Sequence, residues 1–261
     1  MNNVSKTLYI PLYGKAYVSR RGLFLRDERA EQIWSAEGFG LKGKSASKWL
    51  AFYMGIRAAV FDEWVRKQLA AAPEAVVIHL GCGLDSRVLR VGADGPKWYD
   101  VDFPQVIAER KRFFSETGTY RMISADVRER DWLERIPERG EAIVVMEGMS
   151  MYLTSGELRG LTGNLSRCFA RVQCLMDCYS ELAAKLSRYK NPINDVGVTE
   201  VYGMDDPAVL QGDGFVFVKG HEMTPDKYIR ELSGPEQIIF KKLYAGGFSK
   251  KLYRLFEFYK D

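Results

Sequence analysis

The rhythm of apolar positions changes at Pro73. Upstream, apolar residues recur at spacings of three and four, the period of a helix with one buried face. In SKWLAFYMGIRAAVFDEWVRKQLAAA (47–72), Trp49, Phe52, Tyr53, Ile56, Val60 and Trp64 form such a stripe. Ser45 or Ser47 can supply its N-cap, and Pro73 follows its end. Asp27 can cap a shorter helix through Ile33 and Trp34. Downstream the apolar runs are short, continuous and rich in β-branched residues: AVVIHL (75–80), KWYDV (97–101), YRMI (120–123), AIVVM (142–146) and VQCLMD (172–177). That is the pattern of strands buried on both faces. Helical stretches alternate with them. Pro104 sits in the first turn of one, and Thr154 with Glu157 makes a capping-box spacing ahead of Leu158, Leu161 and Leu165. GFVFVKGH (214–221) and KLYRLFEFY (251–259) add two more strands. The pattern predicts an α/β fold with a seven-stranded, mostly parallel sheet, helices on both faces and an N-terminal helical cap.

No repeat or linker divides the chain, so a single domain over 1–261 is expected. Its parts would be the cap (1–72), a core (73–179), a connection rich in turn formers (180–213) and the final strands (214–261). With 46% hydrophobic and 28% charged residues the chain is neither disordered nor membrane-spanning. The stretch MNNVSKTLYIPLYGK lacks the apolar core and cleavage site of a signal peptide, which points to the cytoplasm. A net charge of +4, with its charges scattered, demands no nucleic-acid partner. Cys174 and Cys178 are spaced as two metal ligands can be, but only His79 and His221 could join them and both are remote in sequence. Reduced, buried thiols are the expectation for all four cysteines.

Chemistry concentrates where strands end. VVIHLGCGLDSR (76–87) runs a strand into Gly81 and Gly83, and open α/β sheets bind ligands just past the carboxyl ends of their strands. The third glycine of a nicotinamide-binding fingerprint is Ser86 here, which weakens a dinucleotide reading. Asp102 ends the second strand, where a carboxylate can accept hydrogen bonds from both ribose hydroxyls of an adenosine. It can also cap the Pro104 helix, and Asp100, two residues back on the same strand face, is the runner-up acid. Asp126 follows the third strand and Glu147 the fourth. A parallel sheet lines these ends along one rim. Glycines beside acids suit a cationic adenosine cofactor better than a pyrophosphate, and S-adenosylmethionine carries a sulfonium and no phosphate.

LGCGLDSR (80–87), WYDVDFP (98–104), SADVRE (124–129), EGMSMYL (147–153) and the upstream helix with GIRAAVFDEWV (55–65) together resemble the leucine carboxyl methyltransferase family. The likeness is greatest to its bacterial branch of tetracenomycin-type polyketide O-methyltransferases. The resemblance implies a class I, Rossmann-like methyltransferase fold, with S-adenosyl-L-methionine as cofactor and a small molecule as acceptor. It implies that Arg57 pairs with the methionine carboxylate, Gly81 and Gly83 admit the methionine and ribose, and Asp102 holds the ribose hydroxyls. Asp126 and Val127 would meet the adenine, and Glu147 would line the amino side. Arg87 competes with Arg57 for the carboxylate.

Methyl transfer to a carboxylate needs no base, whereas a phenol benefits from one. His221 and Tyr152 are the candidates near the acceptor: His221 as a base, Tyr152 with Met151 as pocket wall. His79 is expected to be buried in mid-strand. Asp177 stands apart from the rim acids, and only convergence with Asn191 or Asn194 would make it an oxygen-ligand cluster, so a reaction without metal is expected. The alternatives are a non-catalytic module that binds the same cofactor and a nicotinamide oxidoreductase.

Overall fold

The structure is a computed structural model that describes residues 8–37, 41, 43–92, 95–187 and 200–261. Asn191 and Asn194, and with them the middle of the expected 180–213 connection, lie outside the described residues.

Seven strands form one sheet: β1 (Val76–Leu80), β2 (Trp98–Asp102), β3 (Tyr120–Ser124), β4 (Glu141–Met146), β5 (Arg171–Tyr179), β6 (Phe215–His221) and β7 (Tyr253–Lys260). Their order is β3-β2-β1-β4-β5-β7-β6. The first five are mutually parallel, and β7 runs antiparallel to both β5 and β6. Every residue of β1 and β2 is buried, as their continuous apolar runs require. The chain builds β1, β2 and β3 toward one edge, then returns to lay β4 on the other side of β1. That reversal opens a crevice at the carboxyl ends of β1 and β4.

Ten helices are described: α1 (Tyr9–Arg20), α2 (Glu28–Glu37), α3 (Lys48–Ala71), α4 (Arg87–Val91), α5 (Pro104–Arg110), α6 (Ser155–Cys168), α7 (Glu181–Ser187), α8 (Asp226–Ile229), α9 (Gly234–Tyr244) and α10 (Gly247–Leu252). The capping chemistry is as expected. Asp27 Oδ1 accepts from the Ala30 amide (2.9 Å), Ser47 caps α3, and Thr154 and Glu157 complete a capping box on α6. Pro104 opens α5, but Asp102 is not its cap; Phe103 holds that position and makes no side-chain cap bond. Helix α1 carries no capping bond at its start, and Pro11 lies within its first turns, so no local signal marked it. It is held by tertiary packing of Leu12, Ala16 and Val18, all buried.

The sheet is covered on both faces. One layer joins Phe52, Phe61 and Trp64 of α3 to Val77, Trp98 and Phe240. The other joins Ile78, Val101 and Val144 to Trp132, Leu161 and Leu165. Between the cap and the sheet runs a buried ionic cluster. Lys15 of α1 pairs with Asp85 (3.2 Å), and Arg90 of α4 pairs with Asp62 of α3 (2.7 Å) and with Asp27 (2.5 Å). These pairs tie the cap to the loop that follows β1.

Candidate cofactor and acceptor site

A cavity of about 1080 Å³ opens over the carboxyl ends of the strands. Arg57, Gly81, Gly83, Asp102, Asp126, Val127 and Glu147 all line it. Strand register accounts for the convergence. Leu80 pairs with Met146 and Asp102 with Ser124, so the residues just past each strand fall in one row.

Gly81 has φ +65°, and a Cβ there would stand 2.8 Å from the Met149 side chain. Gly83 has φ +52°, the left-handed region that glycine enters freely. Its peptide is held at both ends: its N–H donates to Asp102 Oδ2 (2.8 Å), and its carbonyl accepts from Arg110 (3.0 Å). Asp102 is 8% exposed, and its Oδ1 accepts the Phe103 amide (2.8 Å). Burial pushes its carboxyl up, against the two amide hydrogen bonds. Each oxygen keeps a lone pair for a further donor. Asp100 is sealed below the cavity. It accepts from Trp98 Nε1 (2.8 Å) and Tyr120 Oη (2.7 Å) and pairs with Arg110. The shared strand face is right for both acids; only the packing separates them.

Arg57 and Arg87 share Glu147. Arg57 Nε donates to Glu147 Oε1 (3.1 Å), and Arg87 Nη2 donates to Oε2. Burial pushes the Glu147 carboxyl up, but the charges of Arg87 and Arg57 more than offset this and hold it well below the usual range. Arg87 is fully buried, donates to Asp62 (2.8 Å) and is not among the lining residues. Arg57 lines the cavity, so packing decides between the two arginines. Asp126 is engaged by Arg128, whose Nε lies 2.9 Å from Oδ1, and this hydrogen bond lowers its carboxyl.

Lys15, which the sequence reading passed over, also lines the cavity, 3% exposed and paired with Asp85. A lysine on an uncapped helix far from any motif carries no local signal. Six tyrosines form a further wall of the cavity: Tyr53, Tyr152, Tyr179, Tyr202, Tyr244 and Tyr253. Tyr253 stacks on Tyr53 (6.0 Å) and meets Tyr179 edge-on (5.0 Å). Tyr152, expected in the pocket wall, is in it. His221 is not among the lining residues. It lies on β6 with Nε2 2.6 Å from Glu257 Oε2 of β7, a hydrogen-bond contact across the antiparallel strands.

All four cysteines are free. Burial pushes the Cys178 thiol up to about 12, and Cys174 is raised for the same reason. Among the described residues no three His, Cys, Asp or Glu side chains gather to hold a metal ion, and no helix is long and apolar enough to cross a membrane.

A model of the family described as leucine carboxyl methyltransferase matches residues 12–166, more than half of the chain. The chain belongs to the leucine carboxyl methyltransferase family. It is a methyltransferase that depends on S-adenosylmethionine. The matched span of this family member contains β1 to β4 and all seven expected cofactor residues. The tetracenomycin polyketide synthesis O-methyltransferase TcmP of Streptomyces glaucescens is 32% identical over 214 residues, 81% of this chain and 79% of the relative. The S-adenosyl-L-methionine-dependent methyltransferase dpfgK of Gibberella zeae is 27% identical over 81% of this chain and 78% of its own length. Among solved structures, the magnesium protoporphyrin IX methyltransferase ChlM of Synechocystis, with bound SAH, superposes with TM-score 0.53 over 90% of this chain and 93% of its own, at 12% identity. The plantazolicin methyltransferase BamL covers 98% of this chain and 96% of its own, with TM-score 0.52 at 8% identity. Those two likenesses are of fold.

Proposed function

We propose that this O-methyltransferase holds its cofactor against the strand ends and its acceptor against the tyrosine wall, and that the acceptor oxygen is a carboxylate. The observation that carries the reading is the convergence of Arg57, Gly81, Gly83, Asp102, Asp126, Val127 and Glu147 on one cavity. The residues fit the cofactor. Positive φ at Gly81 and Gly83 lets backbone approach a ligand, and Asp102 has lone pairs left for two ribose hydroxyls. Asp126 and Val127 border the adenine, and Glu147 accepts from the amino group. Arg57 takes the methionine carboxylate, and Lys15 lines the same cavity. S-adenosylmethionine supplies a methyl group on a cationic sulfur.

The protein's part is to align the acceptor oxygen and exclude water. A volume of about 1080 Å³ slightly exceeds the usual range for one small ligand, about 300–1,000 Å³, and so leaves room for a second molecule. His221, the base expected for a phenol, is not among the residues lining the cavity, and a carboxylate needs no base. TcmP, named for polyketide synthesis, supports a secondary metabolite as the acceptor class. The reading keeps a single-domain, cytoplasmic protein that works on a small molecule without metal or nucleic acid.

The test is mass spectrometry of cell extract incubated with the protein and methyl-labelled cofactor, in excess chelator and without it. Label that mild alkali releases as methanol marks an ester and supports a carboxylate acceptor. Alkali-stable label marks an ether and overturns it. Turnover lost to chelator and restored by Mg²⁺ would overturn the metal-free mechanism.

A further inference from the structure

We propose that Asp177 and Tyr253 are positioning residues for Arg57, fixing which of its N–H donors is left for a ligand. The proposal rests on the reading of Arg57 as the partner of the cofactor's carboxylate. Asp177 is fully buried near the end of β5, and Tyr253 opens β7, the antiparallel neighbour in which it pairs with Tyr179. Asp177 Oδ1 accepts the Gly148 amide (2.7 Å). Its Oδ2 accepts from Tyr253 Oη (2.6 Å) and from Arg57 Nη1 (3.2 Å). Arg57 Nη1 also donates to Tyr253 Oη (2.8 Å). The three groups close a triangle in which the tyrosine hydroxyl gives its proton to Asp177 and receives one from Arg57.

A guanidinium has five N–H groups in one rigid plane. Glu147 takes the one on Nε, and Asp177 and Tyr253 take the two on Nη1. Among the described residues none accepts from Nη2. Because the group is planar, anchoring Nε and Nη1 sets the direction of Nη2 as well. The anchor is itself confined, since the Tyr253 ring lies between Tyr53 and Tyr179. Its hydroxyl cannot leave Arg57 without disturbing that stack.

Tyr253→Phe and Asp177→Asn test this through two ligands. S-adenosylhomocysteine carries the amino-acid end, and 5′-methylthioadenosine shares its adenine, ribose and sulfur but has no carboxylate. Calorimetry on the whole chain should show Kd for S-adenosylhomocysteine rising about tenfold in each variant, with less than about twofold change for 5′-methylthioadenosine. Tyr253→Phe keeps the ring and so keeps the test usable if the Asp177 variant folds poorly. Equal weakening of both ligands would mean a merely structural role, and unchanged affinity for both would mean no role; either result overturns the proposal. A wild-type protein that binds the two ligands equally well would instead remove the Arg57 reading, and this one with it.

Discussion

Lys15, Arg57, Asp126 and Glu147, along the strand-end side of the cavity, each pair with another charged group of the protein. In the tyrosine wall Tyr53, Tyr179, Tyr244 and Tyr253 pack ring against ring, and the Tyr253 hydroxyl ties the wall to Arg57 and Asp177. At Lys15, Arg57 and Glu147 the first side is set before any ligand arrives, because buried ion pairs in a low-dielectric site tolerate little displacement; the Asp126–Arg128 pair is partly exposed. The second offers flat apolar faces with hydroxyl tips, which suit acceptors of varied outline. The match to the family follows this division only in part: residues 12–166 include the charged rim together with Tyr53 and Tyr152, while Tyr179, Tyr202, Tyr244 and Tyr253 lie beyond them.

The hardest way to break the comparison is through the two arginines on Glu147. Arg87→Met leaves Asp62 and Glu147 short of a buried partner, and urea unfolding should show a loss of about 3–5 kcal/mol. Arg57→Lys keeps a buried positive charge, so it should cost less stability than Arg87→Met while clearly weakening S-adenosylhomocysteine binding. Lysine has three donors to serve Glu147, Asp177, Tyr253 and the ligand together. A stable Arg87 variant with lost affinity would exchange the two roles.

Next in size is Asp102→Ala. Hydrogen bonds to a charged group contribute about 1.5–3 kcal/mol, so affinity for S-adenosylhomocysteine should fall roughly tenfold to a hundredfold. The Gly83 amide also loses its acceptor, so the melting temperature should drop as well. Unchanged affinity by calorimetry would remove Asp102 from the ribose.

Acid should act on the rim before the wall. Asp85 and Glu147 are pushed up by burial but held below their ordinary values by the larger effect of Arg90, Lys15, Arg87 and Arg57. A carboxyl lowered in the fold contributes stability above its unfolded pKa of about 4 and loses it as pH falls toward the folded value. Urea midpoints should therefore fall as pH drops below about 5, by less than these two groups alone would give, because burial raises Asp102 and Asp177 and they act with the opposite sign. A midpoint that rises on acidification would contradict the pairing.

The smallest effect is expected at His221. His221→Ala should leave turnover within about twofold and stability within about 1 kcal/mol, as for a partly exposed hydrogen-bonded pair. A tenfold loss of turnover would return His221 to the acceptor as its base.

Strands, caps and strand-end acids were legible in the sequence because their causes are local. β-branched runs want both faces covered, Thr154 and Glu157 satisfy each other's backbone amides, and a parallel sheet aligns whatever follows its strands. Choices between equals were not legible. Asp100 and Asp102 share a strand face, and Arg57 and Arg87 share a carboxylate; what separates them is the position of Arg110, Tyr120 and Asp62, brought in from elsewhere in the chain. Lys15, Asp177 and the tyrosine wall belong to the same class. Their roles come from contacts between residues as much as 196 positions apart, such as Arg57 and Tyr253. Periodicity and propensity describe a residue's near neighbours along the chain, whereas burial, pairing and exposure to the cavity depend on which distant elements pack beside it.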